Sequence, residues 1–184
     1  MAELASQGQL RLSLLRWALV LIPGVLLLGM LSGAVAGSGP GNPWFDGLTK
    51  PAVYPPPQTF AIVWTVLYLL MGLALAIVVA ARGAAGRQIA IVAFVVQLAL
   101  NLAWSPLFFA AHQISAALVL IAVLDVAALV TIVLFLRVRP IAALLLVPYL
   151  LWILFATFLT YEFRVANPDA DGRVVSGAAV RVEF

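Results

Sequence analysis

The chain alternates long apolar runs with short polar breaks, and that rhythm predicts its architecture. Residues 17–36, 58–81, 88–111, 114–136 and 141–163 are each dominated by Leu, Val, Ile, Ala and aromatic residues. Each is about 20 residues or longer, enough for an α-helix to cross a hydrocarbon layer about 30 Å thick. Open strands are excluded, because lipid offers no partners to a strand's unpaired backbone groups. The pattern therefore predicts an all-α integral membrane protein, a five-transmembrane-helix bundle. An odd number of spans puts the two ends of the chain on opposite sides. The short breaks at 82–87, 112–113 and 137–140 force successive helices to run antiparallel.

One break differs from the others. Trp44-Phe45-Asp46-Gly47-Leu48-Thr49-Lys50-Pro51-Ala52-Val53-Tyr54-Pro55-Pro56-Pro57 is long, aromatic and rich in proline. Proline lacks an N–H donor and restricts the residue before it, so a continuous helix is forbidden here. Trp44, Phe45 and Tyr54 are residues of a packed surface. The loop is either a lid folded over the bundle or a stiff connector with interfacial aromatics. Residues 1–16 form a polar extension whose Arg11 and Arg16 resemble the start of a signal peptide. The apolar run that follows exceeds a usual signal-peptide core, so a retained helix is expected. The single domain covers 17–166, and the polar tail 167–184 is expected to be disordered.

Composition sharpens this picture. The 184 residues are 65% hydrophobic and 9% charged, against about 25% charged in soluble domains. The net charge of +3 is spread without a basic stripe, which argues against nucleic acid as a partner. With no cysteine and only His112, thiolate sites, disulfides and multi-histidine metal centres are excluded. No metal and no required cofactor are expected. Arg11, Arg16, Arg82, Arg87, Arg137 and Arg139 cluster at one set of helix ends. Lys50, Arg164, Arg173 and Arg181 lie at the other. The bias predicts a cytoplasmic N-terminus and an outward first loop if the membrane is a bacterial inner membrane.

Polar groups inside the spans are the candidates for chemistry. Asp125 lies mid-span, where an acid costs about 2.5–3.5 kcal/mol and needs a partner. It is a ligand- or proton-linked group, or a carboxyl bonded to a neighbouring helix. Gln97, Asn101 and Trp104 share a face of the third span. They can hold a ligand's polar edge under an indole, or serve as interhelical hydrogen bonds. Trp64 and Tyr68 form a stripe on the second span, and Tyr149, Trp152, Ala156 and Thr160 one on the fifth. His112 is either a solvated turn residue or a ligand to a metal-containing tetrapyrrole. Gly29, Gly33 and Gly37 on the first helix allow a close neighbour, in this chain or in a second subunit.

Four blocks make the chain resemble a known family. They are Trp44-Phe45-Asp46-Gly47-Leu48-Thr49-Lys50-Pro51 with Pro55-Pro56; Val63-Trp64-Thr65-Val66-Leu67-Tyr68; Gln97, Asn101 and Trp104 with Phe108-Phe109; and Val147-Pro148-Tyr149-Leu150-Leu151-Trp152 with Phe155-Ala156-Thr157. The pattern is similar to the translocator protein or tryptophan-rich sensory protein (TspO/MBR) family. The resemblance implies a five-helix bundle, usually a homodimer, with a pocket beneath the first loop. It implies binding of porphyrins such as protoporphyrin IX or heme, and of other hydrophobic small molecules. By motif the pocket positions are Phe45, Pro55, Trp64, Asn101, Trp152 and Ala156. Some bacterial members are reported to degrade protoporphyrin IX in light and oxygen. In such an enzyme Trp64 and Trp152 would be the catalytic residues. A transporter of porphyrin or sterol-like ligands is the third function class, with Asp125 as its support.

Two departures from the family pattern stand out. Val53 occupies the position of a second loop tryptophan, which removes an aromatic wall from the lid. Leu159-Thr160 replaces Leu-Asn near the end of the fifth helix. Leu159 to Arg164 also fits a proposed cholesterol pattern.

Overall fold

The computed structural model of the chain describes residues 7–173, with side chains from Leu12 onward. Residues 1–6 of the polar extension and 174–184 of the tail, with Arg181, lie outside the described residues, as does the side chain of Arg11. Five long helices form the bundle: α1 (Gln7–Val35), α3 (Pro57–Ala80), α4 (Arg87–Ser105), α5 (Ile114–Val138) and α6 (Pro140–Ala166). A four-residue helix, α2 (Pro43–Asp46), sits within the first loop. The predicted spans match these helices with small shifts, except at the start of α1. That helix begins ten residues before the predicted span, because a helix can continue past the lipid boundary while its apolar stretch starts only at Leu12.

α4 does not end as a simple α-helix. At Pro106 it widens into a π-helical turn, Pro106–Ala110, closed by the Ala111 N–H on the Pro106 carbonyl at 2.9 Å. Pro106 has no N–H for the regular ladder, and a widened turn accommodates that loss. The neighbouring Phe108 and Phe109 are both buried beneath the first loop.

α1 packs on α3, α3 on α6, and α5 on both α4 and α6. Two glycines set the α1–α3 approach. A Cβ on Gly72 would lie 2.6 Å from the Ile22 Cα and 2.9 Å from the Leu21 carbonyl. A Cβ on Gly29 would enter the ring of Tyr68. The first-span glycine stripe therefore serves at least in part a neighbour in the same chain. At the end remote from the first loop, Gly83 and Gly86 turn the chain in left-handed conformations. Arg87 then reaches back to the Val79 carbonyl (Nη2, 2.8 Å; Nε, 3.1 Å), satisfying an orphan acceptor at the end of α3.

Gly72→Ala should destabilise the bundle by about 1–3 kcal/mol, because its new methyl meets backbone that cannot rotate away. Gly24→Ala, which meets nothing within 4 Å, should leave thermal unfolding in detergent unchanged.

Candidate ligand cavity

The upper half of the bundle encloses a cavity of about 810 Å³. Its roof is the first loop. Asn42 starts α2 by accepting from the Phe45 N–H at 3.1 Å, and Asp46 accepts from the Gly41 N–H at 2.9 Å. This local capping turns Trp44 and Phe45 downward, and both are buried. Phe45 meets Phe109 at 5.1 Å and Phe163 at 5.8 Å between ring centroids. Tyr54 packs on Phe60 and Phe163. The Lys50 ammonium lies 4.2 Å from the centre of the Phe45 ring and donates to the carbonyls of Phe45 and Leu48. Desolvation pushes the Lys50 ammonium below the usual lysine range, opposed by the Asp46 carboxylate. Tyr54 is pushed up, first by desolvation and then by Asp46.

The walls carry Trp64 and Tyr68 from α3, Asn101 and Trp104 from α4, and Trp152 and Ala156 from α6. Three helices thus present their predicted aromatic stripes to one space. The indole N–H groups of Trp104 and Trp152 are buried and have no partner among the described residues. Met30, Ala61 and Thr65 also line the cavity although they are exposed. One side of it therefore reaches the lipid-facing surface between α1 and α3.

Beneath the cavity lies a chain of hydrogen bonds linking three helices. The Tyr68 hydroxyl donates to Asn101 Oδ1 at 3.0 Å. Asn101 Nδ2 approaches the Tyr149 hydroxyl at 3.4 Å, and that hydroxyl donates to Gln97 Oε1 at 2.7 Å. Gln97 and Tyr149 are almost fully buried, at 1% exposure each, and do not line the cavity. They hold Tyr68 and Asn101, which do. Pro55 also falls outside the wall, where Pro57 takes a place instead. Of the ten predicted positions, the structure thus brings seven together: Phe45, Trp64, Tyr68, Asn101, Trp104, Trp152 and Ala156. Val53 is 44% exposed and lies outside the cavity.

The lid is fastened by the tail. Residues 167–173, predicted to be disordered, are packed across the loop and the α4–α5 turn. Asn167 brackets Thr49, accepting from its N–H at 2.8 Å and donating to its carbonyl at 3.0 Å. The Trp44 indole donates to the Ala170 carbonyl at 3.2 Å. Asp171 accepts from the N–H groups of Ile114 (2.6 Å) and Ser115 (3.2 Å). It supplies the cap that α5 lacks from its own flanking residue Gln113. The His112 ring stacks on Trp44 at 4.7 Å and donates from Nδ1 to the Arg173 carbonyl at 3.0 Å, and the His112 backbone carbonyl accepts from the Gly172 N–H at 2.9 Å. His112 is a partly exposed turn residue fastened to the tail, and it does not line the cavity, so it is not placed to ligate a bound tetrapyrrole. Asp125 is likewise outside the cavity, where it accepts from the Thr157 hydroxyl at 2.8 Å on the adjacent helix.

Sequence reasoning missed Phe60, Phe163 and Asn42. Phe60 sits one turn before Trp64, and Phe163 two turns after Ala156, so both extend stripes already visible. Asn42 lies just outside the loop segment that drew attention. Its Nδ2 donates to the Phe109 carbonyl at 3.1 Å and ties the lid to the π-helical turn.

Five apolar membrane-crossing helices around a roofed, aromatic cavity define a multi-pass integral membrane protein with a small-molecule-sized compartment. The chain belongs to the TspO/MBR family, whose model matches residues 19–166. It is 37% identical over 151 residues to the tryptophan-rich protein TspO of Chlorobaculum tepidum, covering 82% of this chain and 96% of that protein. It is 39% identical over 136 residues to the translocator protein of Homo sapiens, covering 73% and 80%. It is 39% identical over 124 residues to the tryptophan-rich sensory protein of Cereibacter sphaeroides, covering 67% and 77%.

Asn101→Ala removes the acceptor of the buried Tyr68 hydroxyl. It should cost about 1–2 kcal/mol of stability, measured as thermal unfolding in micelles. Asn167→Ala releases Thr49 and should speed hydrogen exchange of the loop amides by about tenfold. The exchange of α5 and α6 amides should stay at wild-type rates.

Proposed function

We propose that this protein binds a porphyrin-type tetrapyrrole, and related flat hydrophobic molecules, in the cavity beneath its lid. The observation that carries this is the pair of indole donors, Trp104 and Trp152, without a partner among the described residues, on a wall rich in aromatic side chains. A porphyrin matches that wall: its face stacks on aromatic rings while peripheral carboxylates accept from indole N–H groups. The volume of about 810 Å³ lies in the range of small-molecule sites, roughly 300–1,000 Å³. The wall carries no imidazole or thiol, so the reading favours a metal-free macrocycle over an axially ligated heme. The lateral opening between α1 and α3 gives a membrane-dissolved ligand a route in. In this reading lid closure reports occupancy, which is a sensor's task. If the membrane is a bacterial inner membrane, the arginine bias favours a lid on its outer face.

A second reading has one observation in its favour. Trp64 and Trp152, the pair tied by resemblance to light-dependent porphyrin breakdown, line the same cavity. Transport gains no such support, since Asp125 is engaged by Thr157 away from the wall.

Titration of the purified protein with protoporphyrin IX should quench tryptophan fluorescence saturably. Trp152→Phe, which keeps an aromatic ring and loses the N–H, should weaken binding about three- to tenfold. Unsaturable quenching, or wild-type affinity in the variant, would count against the proposal. Illumination in air separates the second reading: new bilin-like absorbance that needs both tryptophans indicates an enzyme, and bleaching at the protein-free rate indicates a binder.

A further inference from the structure

The end of the bundle remote from the lid has no acid among the described residues. Asp46, Glu162, Asp169 and Asp171 lie toward the lid end, and Asp125 lies within α5. Arg16, Arg82, Arg87, Arg137 and Arg139 all lie at the remote end. Two of them are committed: Arg87 to the Val79 carbonyl and Arg139 to the Val138 carbonyl. The guanidinium groups of Arg16 and Arg82 have no partner among the described residues, yet they line one cleft of about 390 Å³ between α1 and the end of α3. Two guanidinium groups sharing a cleft repel one another unless an anion sits with them.

Two further observations point to the kind of anion. Ser13 lines the same cleft, and its hydroxyl is covered and has no partner among the described residues, so a rotation about χ1 is what would turn it toward an oxyanion. The rest of the wall is Leu12, Trp17 and Val20. Leu12 and Val20 are exposed on the outer side of α1, where its apolar stretch begins. The cleft is thus cationic at its mouth and apolar along its continuation, at headgroup depth. A free inorganic anion would use only the first half of that surface. We propose that the cleft binds the phosphate of an anionic phospholipid, with Arg16, Arg82 and Ser13 holding the phosphodiester and Trp17 at the glycerol level. Its acyl chain would follow α1.

The test uses the full chain in neutral detergent, with dioleoylphosphatidylglycerol and dioleoylphosphatidylcholine compared by native mass spectrometry. Wild type should retain one phosphatidylglycerol in preference to phosphatidylcholine. Arg16→Gln combined with Arg82→Gln should weaken that binding about 30-fold, and each single variant about fivefold. Both side chains are exposed, so these variants should unfold at the wild-type temperature. Arg137→Gln makes the same charge change outside the cleft and should leave retention unchanged. Equal retention of the two lipids, an unaffected double variant, or an Arg137→Gln loss as large as that of the double variant would overturn the proposal. Displacement of the lipid by millimolar inorganic phosphate would overturn the lipid as occupant.

Discussion

A hydroxyl or amide inside a bilayer has no water to fall back on, and the chain Tyr68–Asn101–Tyr149–Gln97 is this protein's answer to that constraint. Its links tie α3 to α4 once and α4 to α6 twice. Apolar packing alone orients membrane helices weakly, because lipid tails are as apolar as leucine. The hydrogen-bonded chain adds direction. It fixes the rotation of three helices about their axes, and those rotations aim Trp64, Trp104 and Trp152 at a common space. The cavity is therefore a product of the layer beneath it.

Above that layer the architecture changes character. The roof is aromatic and tightly packed, with Trp44 and Phe45 buried against Phe108, Phe109 and Phe163. It is held chiefly by backbone groups of distant segments: Asn167 on Thr49, Trp44 on Ala170, His112 on residues 172–173. The lower block is held by packing and buried hydrogen bonds, and the roof by aromatic packing with a few polar bonds to the tail. Local opening favours solvent-accessible hydrogen bonds, and in the seam between tail and loop those are the Asn167–Thr49 pair, while the Trp44–Ala170 bond is buried.

The spans were legible because lipid imposes one simple rule, long apolar segments that satisfy their own backbones. The rule is blind outside the lipid, which is why the early start of α1 at Gln7 escaped it. The cavity residues were legible as far as helical spacing could carry them: Trp64 with Tyr68, Asn101 with Trp104, Trp152 with Ala156. Spacing gives the face but not the depth, so Gln97 and Tyr149 were grouped with the wall although they lie a layer below. Pro106 lies inside the third predicted span, and nothing in the apolar pattern says that the turn there widens and buries two adjacent phenylalanines. The order in residues 167–173 was invisible. Asn-Pro-Asp-Ala-Asp-Gly resembles a solvated turn, and its partners lie 56–126 positions away in the chain.

The placement of the latch has a consequence for biogenesis. The roof segment leaves the ribosome early, before four of the five spans exist, yet the groups that pin it down are made after the fifth. During synthesis Trp44 and Phe45 must wait without their final partners, while the helices beneath them insert one by one. The roof can be fastened only when translation has passed residue 173, so in a nascent bundle it stays unpinned until its closing strap emerges.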